Sequence, residues 1–320
     1  MKILQVTPEE YSRAFAAWPH VFNSVEFSEL NASRCDRIHY LLFSDTRLRA
    51  GIILGECDGE LASPFSAPFG GLTLPRRQHL ETIDEVFTAL HAYASQFGLT
   101  LRITLPPMWH DEAALSQCVS ALSRLPGSTG YVDLCYHLPL SSDGVNPLAG
   151  AATRARADLR QALAEPFTFT VGGYSPEEVT RAYTIIKANH DSRGFPVRMP
   201  LPLMIKTAAL MQADTFFLTL PDGRDAAAAI VFLTAPGVAQ PIIWGDDVTL
   251  HSHHTMYRLC HDIARHYASA GCAVLDLGPS TERSIPNHGL CFFKESLGLT
   301  PSLRHTFTIR PSPKTLKRPY

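Results

Sequence analysis

Several features that would assign the protein to a common functional class are absent from its sequence. No apolar run reaches the about 18 residues that a membrane-spanning helix needs, and the residues after Met1 become polar at once, without a signal-peptide core. We therefore expect a cytoplasmic protein with no stable membrane insertion. The formal net charge of −2 argues against a general nucleic-acid binder, so we expect no DNA partner.

Motifs for nucleophilic, nucleotide and metal chemistry are also missing. The seven cysteines are scattered without a Cys-x-x-Cys pair, which is typical of core residues in a reduced protein. There is no Gly-x-Ser-x-Gly, no Gly-x-Gly-x-x-Gly after a strand and no Walker loop. His251, His253 and His254 are the nearest approach to a zinc motif, but adjacent side chains diverge on a helix. We expect no metal and no permanently bound cofactor.

The sequence does contain an ordered series of structural markers that occurs twice. Each half opens with a strand and a helix start, Thr7-Pro8-Glu9-Glu10 in the first and Ser175-Pro176-Glu177-Glu178 in the second. Five markers recur in the same order, 168 to 178 residues apart, and they are Pro8 and Pro176, Asp45 and Asp222, Gly59 and Gly237, Gly70 and Gly245, Leu99 and Cys272. A chain of 320 residues accommodates two domains. We infer a duplication of one α/β (α+β) domain, covering residues 1–140 and 166–310.

Residues 141–165 connect the two predicted copies. The first part is a polar linker, and the second is a basic helix that carries Arg154, Arg156 and Arg160. These arginines either form a solvated face or make a cationic rim for an anionic ligand. The tail, residues 311–320, is rich in proline and lysine and is predicted to be disordered.

The stretch from Gly271 to Thr308 has the clearest candidate site. A short apolar run predicts a buried strand that ends in Gly278-Pro279-Ser280, a turn that allows close approach of a ligand. A helix then carries Lys294 among aromatic residues and stops near Gly298. The stretch is either a ligand site or a packing unit with a solvated lysine.

The order strand, helix, three antiparallel strands, helix, strand, helix, strand resembles the GNAT N-acyltransferase fold. Two such units in tandem resemble its FemAB-like branch, which includes peptidoglycan aminoacyl ligases. The resemblance covers nearly the whole chain in organisation and implies two mixed central sheets, each flanked by helices. It is sharpest in three segments, Leu275-Asp276-Leu277-Gly278-Pro279-Ser280, Asn287-His288-Gly289-Leu290 and Phe293-Lys294-Glu295-Ser296-Leu297-Gly298.

The resemblance also implies a site in the second domain. The lysine of the Phe-Lys motif is expected near an anionic group, and the compact ammonium of Lys294 suits a phosphate oxygen. Arg193, on the loop after the domain's first helix, is a second candidate for binding an anion. The remaining candidates are Gly278, Ser280 and Asn287 for the anionic ligand, and Trp244, Asp246 and Asp247 for the reacting centre. We expect Lys294→Ala to reduce turnover or binding while leaving the fold intact.

Two departures from the family pattern affect the donor. Asp246 and Asp247 stand where acyl-CoA enzymes have a glycine-rich pyrophosphate loop, and their carboxylates would repel a pyrophosphate. They either act on the substrate amine as a base or complement a helix N-terminus. The second domain also has no room for the helical arm of many tRNA-using ligases, so acyl-CoA and aminoacyl-tRNA both stay open as donors.

The predicted function is transfer of an acyl or aminoacyl group to an amine acceptor, with a cell-envelope precursor as one acceptor class. The alternative is a catalytically inactive, duplicated GNAT-fold protein that binds an anionic small molecule. The sequence leaves the oligomeric state open.

Overall fold

The computed structural model describes residues 1–141 and 148–313, so the predicted linker at 142–147 and most of the predicted tail lie outside the described residues. The strands are β1 (Lys2–Gln5), β2 (Arg37–Ser44), β3 (Leu48–Cys57), β4 (Glu60–Ser63), β5 (Thr100–Thr104), β6 (Ser128–Pro139), β7 (Thr168–Gly172), β8 (Asp214–Thr219), β9 (Asp225–Ala235), β10 (Val238–Asp246), β11 (Val274–Pro279), β12 (Thr281–Glu282), β13 (Ile285–Pro286) and β14 (Thr300–Ile309). The helices are α1 (Pro8–Ala14), α2 (Val25–Leu30), α3 (Leu80–Phe97), α4 (Glu112–Ser123), α5 (Thr153–Ala164), α6 (Pro176–Ser192), α7 (Leu201–Met211), α8 (Thr255–Ser269) and α9 (His288–Ser296). Among the described helices, none combines the length and apolar composition needed to cross a bilayer.

Both predicted helix starts are confirmed. At α1 the Thr7 hydroxyl accepts the Glu10 N–H at 3.2 Å, and the Thr7 N–H donates to the Glu10 carboxylate at 2.9 Å. This reciprocal pair satisfies two N–H groups that the first turn leaves without helical partners. At α6 the Ser175 hydroxyl accepts the Glu178 N–H at 3.3 Å and donates to its carboxylate at 2.8 Å.

The chain divides into two compact units, and the first contains Met1–Leu134, Arg283–Ile285 and the segment from Ser302. Its strand order is β1-β2-β3-β4-β5-β14-β6, with β4 and β5 parallel and β5 and β14 antiparallel. Helices α3 and α4 bury an apolar face in its core, because their hydrophobic residues recur at helical spacing. Fully buried members of this core are Phe43, Ile52, Phe87, Leu90 and Leu122.

The second unit contains Cys135–Glu282 and Pro286–Pro301. Its strand order is β6-β11-β10-β9-β8-β7, in which β10 and β11 are parallel while β7, β8, β9 and β10 are antiparallel neighbours. Helix α6 buries one apolar stripe, since Val179, Ala182, Tyr183 and Ile186 recur at helical spacing and lie in the core with Phe217. The opposite end of this helix carries the polar residues of the candidate site.

Two strands complete the description of the first unit. Strand β4 ends at Ser63, because Pro64 has no N–H with which to continue the ladder. Most of β14, from Ser302 onward, falls in the first unit. Thr306 is the register partner of Thr104 on β5, which explains the assignment.

The basic helix predicted between the copies is present as α5. Arg154, Arg156 and Arg160 are exposed on it. Arg154 forms an ion pair with Asp158 at 3.0 Å, while Arg156 and Arg160 donate to main-chain carbonyl oxygens, those of Ala151 and Arg156. These contacts are those of a solvated helix face.

Candidate active site

The candidate site lies in the second unit, where β10 and β11 separate. These parallel strands are paired only at Val238 with Val274 and at Ala239 with Leu275. Beyond these pairs, β10 continues to Asp246 and β11 to Pro279. Because the strands are parallel, the predicted residues at their carboxyl ends occupy the same edge of the sheet.

Asp246 is a buried carboxylate with both oxygens occupied. Its Oδ1 accepts a hydrogen bond from Asn189 Nδ2 on α6 at 2.7 Å, and its Oδ2 accepts one from Thr255 Oγ1 on α8 at 2.6 Å. The side chain is only 2% exposed. A buried charge is retained at low cost only when it is paired and hydrogen-bonded, and these contacts meet that requirement.

Two cationic or polar side chains cover Asp246 on its solvent side. Arg193 Nη2 lies 3.6 Å from Asp246 Oδ1, and its side chain is 48% exposed. His251 Nε2 lies 3.4 Å from the same oxygen, and its side chain is 52% exposed. Arg193 Nη2 is also 2.9 Å from His251 Nε2. The arrangement combines a buried carboxylate with a guanidinium and an imidazole that solutes can reach.

Asp247 caps the short 3₁₀ helix formed by Val248–His253. Its Oδ1 accepts the Thr249 N–H at 2.9 Å and the Thr249 hydroxyl at 2.7 Å. These two hydrogen bonds, the hydroxyl first, lower the pKa of the Asp247 carboxyl. The second of the two alternatives raised by the sequence, a carboxylate that complements a helix start, therefore describes Asp247.

Trp244 and its neighbours form the aromatic side of the site. The Trp244 ring lies edge-to-face with the Phe293 ring of α9 at a centroid distance of 6.0 Å. Its carbonyl oxygen is 3.3 Å from His190 Nε2, while His190 Nδ1 is 3.0 Å from the Phe195 carbonyl oxygen. Gly245 follows, and a Cβ there would lie 3.0 Å from Asn189 Cβ, so glycine permits the close approach of α6.

Lys294 points into the protein rather than into solvent. Its Nζ donates to the carbonyl oxygens of Leu277, Gly278 and Pro279 at 2.7, 2.9 and 3.1 Å, and the residue is 1% exposed. Burial lowers the pKa of the ammonium to about 8. As placed, the three donor hydrogens of Lys294 are used by the turn after β11, and an anion would have to displace these carbonyls.

The other residues predicted to bind the anion have local roles. Asn287 caps α9, since its Oδ1 accepts the Leu290 N–H at 3.0 Å. Gly278 has a φ of +67°, a left-handed conformation that a residue with a Cβ adopts at a cost. Ser280 is 3% exposed, and its hydroxyl has no hydrogen-bond partner within the described residues.

The structure thus brings Arg193, Asp246 and Trp244 to one side of the site and Lys294, Gly278 and Ser280 to another. Sequence reasoning missed the contributions of Asn189, Thr255 and His251. Asn189 lies in the last turn of α6, four residues before Arg193, and its partner Asp246 is distant in the sequence. His251 was interpreted either as a metal ligand or as part of a polar helix start, and a role beside Asp246 was not predicted.

The three neighbouring histidines have different partners. His253 Nδ1 pairs with Glu165 at 3.0 Å and His254 Nε2 lies 3.8 Å from Asp158, whereas His251 Nε2 faces Asp246. In the ranges 1–141 and 148–313, no group of three or more His, Cys, Asp or Glu side chains is arranged to hold a metal ion.

Comparison with solved structures defines the fold, although no protein-family model and no curated protein matches the sequence. The chain is similar to FemX, with a TM-score of 0.64 and 12% identity over 95% of this chain and 97% of that chain. The chain is also similar to L-PGS from Bacillus licheniformis, with a TM-score of 0.58 and 13% identity over 97% of this chain and 94% of that chain. Its similarity to a tandem GNAT protein from the clavulanic acid biosynthesis pathway has a TM-score of 0.55 and 14% identity, over 98% of this chain and 99% of that chain. The chain has the FemAB-like, tandem GNAT fold that its sequence predicts.

Proposed function

We propose that the protein is an acyltransferase that moves an acyl or aminoacyl group from an activated donor to an amine. The observation that supports this most is the group formed by Arg193 and His251 at the buried carboxylate of Asp246, with Trp244 two residues earlier on β10. It lies where β10 and β11 separate, on a fold shared with FemX and with a tandem GNAT protein. The fold alone does not define the reaction, and the argument depends on these side chains.

Arg193 and Trp244 can each supply a different requirement of acyl transfer. Arg193 has a half-exposed guanidinium whose remaining N–H groups can bind a phosphate or carboxylate of the substrates. Trp244, held against Phe293, offers a rigid apolar surface for the acyl group or acceptor. Direct attack of the amine needs orientation and a proton acceptor, and it needs no covalent enzyme intermediate.

An aminoacyl donor is favoured over acyl-CoA at this site. β10 ends at the buried Asp246, the next residue is Asp247, and the N–H of Thr249 is already bound by Asp247. A pyrophosphate would therefore meet negative charge and an occupied backbone donor. The acceptor is proposed to be an amine of a cell-envelope precursor, in keeping with the named aminoacyl ligases of the FemAB-like branch.

The experiment is a turnover assay that crosses aminoacyl-tRNA and acyl-CoA donors with a panel of amines, including nucleotide-linked cell-wall precursors. Arg193→Met is compared with Arg198→Met, because Arg198 is an exposed arginine of the same unit that pairs with Glu282 at 2.6 Å. We expect turnover by wild type and Arg198→Met and a loss of about tenfold or more for Arg193→Met, the scale of a charged hydrogen bond. Equal rates in the two variants would contradict the proposed site.

A second candidate function is binding of an anionic small molecule without catalysis. Two observations favour it. Both oxygens of Asp246 already accept hydrogen bonds, and the Lys294 ammonium donates to three carbonyl oxygens, so neither group can act on a substrate without releasing a contact. Failure of wild type to turn over any pair in the panel, together with calorimetric binding of a nucleotide-linked precursor that Arg193→Met weakens, would establish this candidate instead.

A further inference from the structure

The proposed reaction requires a group that takes a proton from the attacking amine, and neither aspartate is suited to it. Asp246 is buried, and each of its oxygens already accepts a short hydrogen bond, from Asn189 and from Thr255. Asp247 holds its proton weakly, because the hydrogen bonds from Thr249 lower its pKa. Asp246 would also have to release a structural contact before it could bind a proton.

His251 differs from the aspartates because its ring is accessible and has a free side. Nε2 faces inward, 2.9 Å from Arg193 Nη2 and 3.4 Å from Asp246 Oδ1. No described residue hydrogen-bonds Nδ1, and half of the side chain is exposed. The charged groups that face His251 are Arg193 from the end of α6, Asp246 from β10 and Asp247 from the start of the 3₁₀ helix, on whose carboxyl His251 acts electrostatically.

The contact with Arg193 fixes the tautomer of His251. A guanidinium has only donors, so the 2.9 Å contact requires a lone pair on Nε2, and the proton of the neutral ring is then on Nδ1. In that state Nδ1 cannot accept a proton. If Arg193 turns away to bind an anion, Nε2–H can donate to Asp246, and the lone pair moves to the exposed Nδ1.

We propose that His251 is the general base of the reaction and that Arg193 controls its tautomer. This inference rests on the proposed function. Binding of an anionic substrate group by Arg193 would release Nε2 to Asp246 and expose a basic Nδ1 when substrate is present. Asp246 acts as a positioning residue, in the way a carboxylate orients a catalytic imidazole.

The step balances in the ordinary way for acyl transfer. The amine lone pair forms the C–N bond, and the carbonyl π pair moves to oxygen. The N–H proton goes to His251 Nδ1. The oxygen pair then re-forms the C=O bond as the C–O or C–S bond of the donor breaks. The leaving group takes the bonding pair, and the imidazolium returns the proton to it or to water.

The tautomer is tested without substrate by ¹⁵N NMR of imidazole-labelled full-length protein. We expect Nδ1–H at His251 in wild type and Nε2–H in Arg193→Met, with the His253 signals unchanged between the two. The same tautomer in both proteins would overturn the control by Arg193.

The base role is tested by the pH dependence of turnover. We expect His251→Gln to lower kcat by about 10²–10⁴-fold and to remove the acidic limb of the profile, as loss of a general base does. His253→Gln is the matched control, because His253 lies on the same 3₁₀ helix but pairs with Glu165. An unchanged rate and profile in His251→Gln would overturn the inference while the proposed function stands. Absence of turnover in wild type would instead remove the proposed function, whatever the tautomer.

Discussion

Lys294 supports the left-handed turn at Gly278, since its Nζ donates to the Gly278 carbonyl oxygen at 2.9 Å while the φ of Gly278 is +67°. The neighbouring carbonyls of Leu277 and Pro279 are bound by the same ammonium. A side chain expected to bind substrate is therefore part of the turn that ends β11. Removal of the Lys294 ammonium should therefore affect the stability of the fold as well as the binding of a ligand.

We expect Lys294→Met to destabilise the protein, in contrast to the expectation from sequence that the fold would stay intact. The substitution keeps an apolar stem but leaves three buried carbonyls without their donor, at a cost of about 1–3 kcal/mol or more. Urea denaturation at constant m-value measures the change. Lys187→Met is the control, because Lys187 is an exposed partner of Asp191 and its replacement should leave the free energy of unfolding nearly unchanged.

Gly278→Ala tests the backbone conformation of the same turn. The nearest atom to an added Cβ is Gln240 Nε2 at 3.8 Å, so space is available and the strain is conformational. We expect a loss of about 1–2 kcal/mol. Gly289→Ala, inside α9, should instead be neutral or stabilising by up to about 1 kcal/mol. Similar effects from the two substitutions would contradict the assignment of strain to Gly278.

Thr255→Val tests whether the buried carboxylate of Asp246 depends on its hydroxyl partner. Valine keeps the shape but removes the donor at 2.6 Å, so Oδ2 is left buried without a hydrogen bond. We expect a loss of about 1–3 kcal/mol in the free energy of unfolding. Thr249→Val removes the corresponding hydroxyl from the more exposed Asp247 and should cost about 1 kcal/mol or less. Thermal melts of both variants beside wild type would show the difference.

His20 in the first unit should make stability depend on pH. It is buried beside Phe69, with ring centroids 4.8 Å apart, and burial lowers its pKa to about 3 with a further contribution from His110. Below about pH 6.5, His20 binds a proton in the unfolded chain, whereas in the folded protein it stays neutral until the pH approaches 3. Stability from this group is therefore fully present above pH 6.5 and is lost as the pH falls toward 3.

The comparison with His20→Phe isolates this effect. The difference in unfolding free energy between wild type and His20→Phe should be constant above pH 7. Below pH 6 it should shift against wild type by about 1.4 kcal/mol per pH unit. A difference that stays constant from pH 7.5 to 4.5 would show that His20 takes up its proton in the folded state.

Features set by neighbouring residues were predictable from the sequence. The caps at Thr7 and Ser175 depend on side chains three positions away, and the stripe from Val179 to Ile186 depends on helical periodicity alone. The order and spacing of such elements were enough to indicate the tandem GNAT fold.

The polar contacts of the site were not predictable in the same way. Asp246 is held by Asn189, 57 residues earlier, and the pattern around it does not specify that partner. In the sequence, Lys294 follows two phenylalanines, Phe292 and Phe293. This pattern does not indicate that its ammonium turns toward β11. His251 is close in sequence to His253 and His254, and the three together suggested metal binding rather than a contact with Asp246.

The pairing of β5 with β14 has a consequence for biosynthesis. The Thr104 and Thr306 hydroxyls lie 3.0 Å apart, although 202 residues separate them in the chain. When residues 1–134 have left the ribosome, the sheet that contains them still lacks a strand, and β5 has an open edge. That edge can close only after β14, which follows the second unit, has been translated, so a nascent first unit is exposed to pairing with other chains throughout synthesis of the second.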